Sequence, residues 1–205
     1  MNRKKISVLG ITAFIVLLID QYTKWLIRTT PSLQNYTIID GWLEFYYTQN
    51  PGMALGIEIL STPVISSIAI AATLGIIIYI MLGIKESTTG YLVCMGLIIG
   101  GALGNISDRI FIGLIEGYGG VLEGHVVDFI YFSLRINDWT VFPYIFNVAD
   151  VAISIAIISL LVFNKWIFID HEQNEAEASK EPDNAPDISV DIESEGGKEG
   201  SSSAI

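Results

Sequence analysis

The sequence has one cysteine, two histidines and several long stretches without any charged residue. Because one thiol has no partner within the chain, Cys94 cannot form an internal disulfide, and its apolar neighbours predict a buried packing residue. His125 and His171 lack the spacing of a zinc motif, so no metal site is predicted. A glycine-rich phosphate loop and a serine nucleophile elbow are also missing, and no cofactor is predicted. A serine–lysine dyad stays open, since serines are plentiful and no pattern singles one out.

Charged residues make up only 16% of the chain, hydrophobic residues 51%, and the mean hydropathy is +0.53. This composition is too apolar for an ordinary soluble domain and predicts a membrane protein. The net charge of −11 is unevenly placed, because residues 170–205 hold 11 acids and two bases (−9), which leaves −2 for the other 169 residues. We therefore predict a transmembrane domain over 1–169 and a disordered, acidic cytoplasmic tail over 170–205.

Four apolar segments are long enough to cross a bilayer, at about residues 6–27, 63–84, 91–112 and 146–169. The first would form a helix about 33 Å long, against a hydrocarbon core of about 30 Å. Its basic start resembles a signal peptide, but no small-residue cleavage site follows, so we expect it to be retained. The fold class predicted is an all-α membrane protein with four spans.

Basic residues favour a cytoplasmic location for both termini. Arg3, Lys4 and Lys5 precede the first span, and Lys85 lies in the short loop after the second. Two longer segments then lie outside. In residues 28–60, aromatic and β-branched runs over 36–39 and 42–48 flank a turn dipeptide and predict a small β hairpin. Residues 113–145 are predicted to begin as a flexible, glycine-rich loop.

Polar side chains are concentrated at the predicted outer ends of the first, third and fourth spans. Ionisable groups at membrane depth cost roughly 2.5–3.5 kcal/mol each and usually mark function. The second span contributes none. The predicted cluster consists of Asp20, Lys24, Asn105, Asp108, Arg109, Asn147 and Asp150, with Asp128 in a very apolar run between the third and fourth spans.

Two carboxylates of this cluster have a cation close in sequence. Lys24 follows Asp20 by one helical turn, and Arg109 is adjacent to Asp108. A nearby cation favours the charged form of a carboxyl group. We therefore predict that Asp20 and Asp108 take part in structural ion pairs.

The remaining carboxylates, Asp128 and Asp150, have no Lys or Arg within four residues. Two carboxyl groups held close in a poorly solvated site cannot both ionise easily, so one keeps a proton while the other can activate water. We predict that they form an acid–base pair. The alternatives are an interfacial loop acid at Asp128 and a helix N-terminal acid at Asp150.

A stripe of glycines runs along the third span. Gly96, Gly100 and Gly104 recur every four residues. Such a smooth surface lets another helix approach closely and would bring the polar end of this span against those of the first and fourth. The alternative is that the glycines serve packing alone.

Several short motifs, taken together and in order, resemble the lipoprotein signal peptidase (signal peptidase II) family over residues 6 to about 168. Each motif is weak by itself, but five in the same order on four spans are specific. They are Asp20-Gln-x-Thr-Lys24, Asn50-Pro-Gly52-Met-Ala54-Leu-Gly56, Gly100-Gly-Ala-Leu-Gly-Asn105-Ile-Ser-Asp108-Arg109, Val127-Asp128-Phe129 and Phe146-Asn147-Val-Ala149-Asp150.

The resemblance implies an intramembrane aspartyl endopeptidase of the bacterial cytoplasmic membrane, with its site near the outer face. It would cut the signal peptide from diacylglyceryl-modified prolipoproteins before the lipidated cysteine, with Asp128 and Asp150 as the catalytic pair. It implies no cofactor, nucleic acid or obligate protein partner besides substrate and membrane lipid, and the hairpin would be an extracytoplasmic cradle. Residues implied to shape the site and hold the substrate are Asp20, Lys24, Asn50, Gly52, Asn105, Asp108, Arg109 and Asn147.

The chain departs from the family pattern at two positions of the second motif, where Met53 replaces a small residue and Leu55 an aromatic one. These changes affect the pocket wall and remove no ionisable group. Two other functions stay open at this point. A proton channel or transporter would spread acids through the depth of the spans, and a non-catalytic scaffold would need neither Asp128 nor Asp150.

Overall fold

The computed structural model describes residues 3–52, 60–136 and 139–163, which contain four α-helices, a four-stranded antiparallel sheet and a separate two-stranded one formed by residues 135–136 and 139–140. A short 3-10 turn, Pro31–Leu33, follows the first helix. In chain order the helices and strands are α1 (Arg3–Thr29), β1 (Asn35–Ile39), β2 (Leu43–Asn50), α2 (Thr62–Gly83), α3 (Thr89–Glu116), β3 (Val126–Phe132), β4 (Arg135–Ile136), β5 (Trp139–Thr140), β6 (Ile145–Phe146) and α4 (Val148–Val162).

Three of the helices, α1, α2 and α3, are long and apolar enough to cross a membrane. The helix α4 is also apolar, but its described part has 15 residues and is shorter than a typical span. Residues 164–169 of the predicted fourth span lie outside the described residues, as does the tail over 170–205. The prediction of a helical membrane protein is confirmed, whereas the count of four spans stays a prediction.

The helix α3 is central, because α1, α2 and α4 all pack against it. Its glycines permit these contacts. A methyl group on Gly100 would lie 2.5 Å from the carbonyl oxygen of Ala13 and 2.8 Å from Cβ of Val16, both on α1. On the neighbouring face, a methyl group on Gly101 would lie 2.7 Å from the carbonyl oxygen of Ala149 on α4. The predicted close approach along the glycine stripe is confirmed.

The sheet has the strand order β1-β2-β3-β6 and is antiparallel throughout. Its inner side packs on the ends of α1 and α3 through a core of Ile27, Ile112, Val127 and Phe129. The predicted hairpin is present as β1 and β2, with Gly41 at φ +68° in its turn. The all-α prediction was incomplete, because the apolar run around Asp128 forms β3 and pairs with β2.

The prediction of a loop from residue 113 was wrong at its start, since α3 continues to Glu116 and ends at Gly117. Gly117 has φ +74° and closes the helix with a hydrogen bond to the carbonyl oxygen of Gly113. Gly113 itself is a packing position, where a methyl group would lie 3.2 Å from the carbonyl oxygen of Gly120. The two glycines therefore have different roles, because Gly113 allows close packing and Gly117 ends the helix.

Replacing Gly100 with alanine tests the close approach of α1 and α3. We expect Gly100→Ala to destabilise the protein by about 1–3 kcal/mol, because the added methyl group overpacks the contact with Ala13 and Val16. The matched control is Gly75→Ala on α2, where nothing lies within 4 Å of the added methyl group. That change should leave stability unchanged or raise it by up to about 1 kcal/mol. Thermal unfolding in detergent measures both, and equal melting temperatures would contradict the packing role.

Candidate active site

A buried lysine joins the polar ends of α1 and α3. The ammonium nitrogen of Lys24 lies 2.9 Å from a carboxylate oxygen of Asp20 and 2.9 Å from one of Asp108. It also donates to Oδ1 of Asn105 at 2.9 Å. Lys24 is 3% exposed, Asp20 0% and Asp108 1%. Because the ammonium group has three protons, these three acceptors satisfy it completely.

Backbone amides from two other segments complete the partners of these carboxylates. The amide of Ala149, in the first turn of α4, donates to Asp20 Oδ1 at 2.9 Å. The amide of Val127, in β3, donates to Asp108 Oδ2 at 3.1 Å. The ion cluster therefore fixes the start of α4, at Ala149, and the start of β3, at Val127, relative to α1 and α3. Gly104 makes this possible, because a methyl group there would collide with the carboxylate of Asp20.

The first turn of α4 carries a capping box. Asn147 accepts the amide proton of Asp150 at 3.0 Å, and Asp150 accepts that of Asn147 at 3.2 Å. The side-chain amide of Asn147, which is fully buried, donates to Asp128 Oδ1 at 2.6 Å. Asn147 thus bridges the carboxylates of Asp128 and Asp150 while it also caps the helix.

The two bridged carboxylates have different further partners. Asp150 Oδ1 accepts from the amide of Asn105 at 3.0 Å, and Asp128 Oδ2 accepts from the amide of Asn50 at 3.3 Å. Asp128 is 4% exposed. Burial, together with the nearby charge of Asp150, raises the pKa of Asp128 to about 7, although the hydrogen bonds from Asn147 and Asn50 act in the opposite direction. Asp128 can therefore hold a proton at neutral pH.

Arg109 and the end of β2 form the rim of this carboxylate pair. Arg109 interacts electrostatically with both Asp128 and Asp150, and its guanidinium donates to the carbonyl oxygen of Pro51 at 3.5 Å. Gly52 adopts φ +121° and donates its amide to Asn50 Oδ1 at 2.9 Å. That backbone conformation is open to glycine and strained for other residues. Met53 and Leu55 follow directly and lie outside the described residues.

The structure brings the predicted polar cluster together at one end of the bundle. The predicted ion pair of Asp20 and Lys24 is present. Asp108 also takes part in a structural ion pair, as predicted, but its partner is Lys24 and not the adjacent Arg109. Successive helical residues point in different directions, which lets Arg109 face the carboxylate pair while Asp108 faces α1. Within the described residues, no group of three His, Cys, Asp or Glu is placed to hold a metal ion.

Sequence reasoning missed Gln21 as a member of the site. Its side-chain amide donates to Asp108 Oδ1 at 2.9 Å and to the carbonyl oxygen of Gly104 at 3.0 Å. It also lies 3.3 Å from Asp20 Oδ2. The position between Asp20 and Lys24 in an otherwise apolar helix was the available indication. Gln21 gives the ion cluster a second connection between α1 and α3.

Long apolar helices around a pair of carboxylates, with Asp128 buried and Asp150 half-buried, define a multi-pass membrane protein with a site of the hydrolase type. The family model described as signal peptidase (SPase) II matches residues 12–166. The chain belongs to the signal peptidase II family of proteases.

Named relatives and solved structures agree with this membership. The chain is 35% identical over 184 residues to a lipoprotein signal peptidase of Porphyromonas gingivalis, covering 74% of this chain and 81% of the relative. It is 35% identical over 167 residues to that of Chlorobium luteolum, covering 78% and 93%. Two solved structures, each titled a bacterial membrane enzyme, match with a TM-score of 0.56 at 25% and 28% identity. They cover 89% and 79% of this chain, and 94% and 92% of their own chains.

Removing the buried ammonium group tests the ion cluster. We expect Lys24→Met to destabilise the protein by about 3–5 kcal/mol, because Asp20 and Asp108 lose their only ion-pair partner among the described residues while they stay buried. The control is Lys85→Met, at an exposed position whose side chain makes no ion pair within the described part of the chain. Thermal unfolding in detergent compares the two, and a melting temperature for Lys24→Met equal to that of the control would refute the prediction.

Proposed function

We propose that this protein is an aspartyl endopeptidase that removes the signal peptide from diacylglyceryl-modified prolipoproteins, cutting before the lipidated cysteine. The single observation that supports the mechanism is the bridged pair of Asp128 and Asp150, which Asn147 holds by one bond to each carboxylate. The substrate class is supported by the names of the relatives, which are lipoprotein signal peptidases.

Chemically, the pair works with one proton shared between two carboxyl groups. The ionised carboxylate takes a proton from water as the water oxygen attacks the scissile carbonyl carbon, and the protonated partner gives its proton to the carbonyl oxygen. Collapse of the tetrahedral intermediate then breaks the C–N bond. The leaving amine takes the proton that the first carboxylate removed from water, and a hydroxyl proton of the intermediate returns to the partner, so the pair again holds one proton.

The neighbouring residues orient this pair and the substrate. Asn105 and Asn147 fix the two carboxylates by direct hydrogen bonds. The charged cluster of Asp20, Lys24 and Asp108 lies behind them and holds α1, α3, α4 and β3 together. Asn50, Gly52 and Arg109 line the rim, where we expect them to bind the backbone of the substrate.

The location of the site fits a substrate anchored in the membrane by its lipid. The sheet and the carboxylate pair lie at the same end of α1 and α3, while Lys5 and Lys85 lie at the other end, where Lys5 donates to the carbonyl oxygen of Lys85 at 2.7 Å. By the positive-inside rule, the lysine end faces the cytoplasm. We therefore place the site near the outer face of the bacterial cytoplasmic membrane, with four spans and both termini inside.

Proton channels and non-catalytic scaffolds are less well supported. A channel would need ionisable groups through the depth of the bundle, whereas the buried acids among the described residues, Asp20, Asp108 and Asp128, cluster at one end. A scaffold gives no reason to bury Asp128 beside Asp150, because burial of that carboxyl group favours its neutral form and not a stable charge.

Removing each carboxylate tests the catalytic pair. We expect Asp128→Asn and Asp150→Asn each to lower kcat at least about 10³-fold, because neither amide can exchange the required proton. Relative to the wild type, Asp128→Asn should also gain stability as the pH rises above 3.8, with the full gain reached at about pH 7, since it removes a carboxyl group whose ionisation burial disfavours. Cleavage of a diacylglyceryl-modified prolipoprotein, followed by gel shift, measures the activity.

The matched control is Asp40→Asn, at an exposed position in the β1–β2 turn, which should cleave at the wild-type rate. Near-normal cleavage by either Asn variant of the pair would eliminate the proposed pair. Failure of the wild type to cleave would eliminate the proposed substrate class.

The pH dependence of the reaction follows from the raised pKa of Asp128. The pair is active with one proton, and a pKa of about 7 means that this proton is retained below about pH 7 and lost as the pH rises through it. We expect kcat/KM to fall about tenfold per pH unit on the alkaline side. Initial rates measured between about pH 5 and about pH 9 test this. A flat profile over the whole alkaline range would contradict it.

A further inference from the structure

A second polar cluster lies on the side of β2 that faces away from Asp128. We call it the Glu116 clamp, and it consists of Arg28, Tyr47, Gln49 and Glu116. The side-chain amide of Gln49 donates to Glu116 Oε2 at 2.6 Å and to the hydroxyl of Tyr47 at 2.8 Å. The other carboxylate oxygen of Glu116 lies 3.6 Å from the guanidinium of Arg28. The clamp therefore joins the ends of α1 and α3 to β2.

Glu116 occupies a position that helix electrostatics disfavour. It is the last residue of α3, where the unpaired carbonyl groups give the helix end a partial negative charge. A carboxylate there is unfavourable unless other partners compensate it. Arg28 and Gln49 supply that compensation, although the pair with Arg28 is partly open to solvent at 19% and 27% exposure. Tertiary contacts, and not helix formation, thus explain an acid at this position.

The strand β2 needs such a contact because its ladder with β3 is interrupted. Phe45 pairs with Ile130 and Thr48 pairs with Asp128, so β2 has one extra residue between these pairs. Only three residues of β2, 48–50, pair with β3 beyond this bulge before the chain turns away at Pro51. Successive side chains of a strand point to opposite faces. Holding Gln49 on one face therefore sets the direction of Asn50 on the other, where it donates to Asp128 Oδ2 at 3.3 Å.

We propose that Glu116 is a positioning residue, which accepts the Gln49 amide and thereby holds Asn50 in hydrogen-bond contact with Asp128. This inference rests on the proposed function of the Asp128 and Asp150 pair. Glu116 acts through β2 and has no direct contact with the pair.

The consequence is measurable at the catalytic pair. The hydrogen bond from Asn50 favours the ionised form of Asp128, so its loss raises the pKa of Asp128 further. The charged groups that face Asp128 are Asp150 on α4, Lys24 on α1 and Arg109 on α3. All three stay unchanged when the clamp is altered. A shift of the alkaline limb of the pH profile to higher pH therefore reports loss of the hydrogen bond from Asn50 to Asp128. General destabilisation of the protein would not cause such a shift.

The test compares Glu116→Ala with Glu116→Gln in the full-length enzyme. We expect Glu116→Ala to lower kcat about tenfold, because a small displacement of Asn50 from Asp128 disturbs the geometry of the pair. The same change should move the alkaline limb of kcat/KM to higher pH. Glu116→Gln keeps an amide oxygen that can accept from Gln49, so it should retain most of the wild-type activity and the wild-type profile. Glu44→Ala, on the same strand before the bulge, is the control and should leave both unchanged.

Exchanging the side chains at positions 49 and 116 tests the hydrogen bond between Gln49 and Glu116 while keeping one donor and one acceptor. Gln49→Glu places a carboxylate against that of Glu116 and should impair kcat as Glu116→Ala does. The double variant Gln49→Glu with Glu116→Gln restores one amide donor and one carboxylate acceptor, so it should recover activity, and this comparison holds even if Glu116→Ala fails to fold.

Three results would overturn the inference: a wild-type rate and profile for Glu116→Ala, equal damage by Glu116→Gln and Glu116→Ala, or no recovery in the double variant. The proposed function is judged separately in the same assay. If the wild type cleaves and Asp128→Asn does not, the function stands whatever the clamp variants show. If the wild type does not cleave, the function itself fails.

Discussion

The buried ammonium group of Lys24 is the interaction on which the rest of the structure depends. Burying a lysine and two carboxylates costs several kcal/mol per ion unless each finds close partners. Asp20 comes from the same helix, but Asp108 comes from α3, and the remaining hydrogen bonds of the two carboxylates come from α4 and β3. All four segments must therefore take up their places together before the cost of burial is offset, and this couples the bundle to the sheet.

The same segments carry the proposed catalytic pair of Asp128 and Asp150, and a few side chains serve two purposes. Asn147 caps α4 and also bridges Asp128 and Asp150. Asn105 accepts from Lys24 and donates to Asp150. Asn105 links the ion cluster to the pair by direct hydrogen bonds, and Asn147 links the cap of α4 to it, so the geometry of the pair follows from contacts that also stabilise the fold.

Local patterns predicted the features that depend on residues close in sequence. Hydropathy predicted the apolar helices, and a spacing of four residues predicted the ion pair of Asp20 and Lys24. The glycine repeat predicted the close contact of α3 with α1. Motif resemblance selected the residues that surround the pair. Features that depend on tertiary register were missed, or were predicted with a different partner. Asp108 pairs with Lys24, because the approach of α1 to α3 decides which cation it meets.

Strand β3 shows the same limit. Apart from Asp128 its residues are apolar, and Val126 to Phe129 are all buried, so no alternation of polar and apolar residues marked them as a strand. The clamp around Glu116 was equally hidden, because its members are far apart in sequence and individually ordinary. Only the bulge in β2 and the extension of α3 bring Gln49 and Glu116 within 2.6 Å of each other.

The hydrogen bond from the Ala149 amide to Asp20 links positions 129 residues apart. Asp20 lies where the polar end of α1 begins, and Ala149 lies in the first turn of α4. During synthesis α1 enters the membrane long before α4 exists, and the pairing of Asp20 with Lys24 within one turn gives these two buried groups no net charge as the helix inserts. The last donor arrives only with the final helix. The neutral pair of Asp20 and Lys24 is therefore formed first, without its partners on α3 and α4. The complete site can form only when the last helix has joined the others in the bilayer.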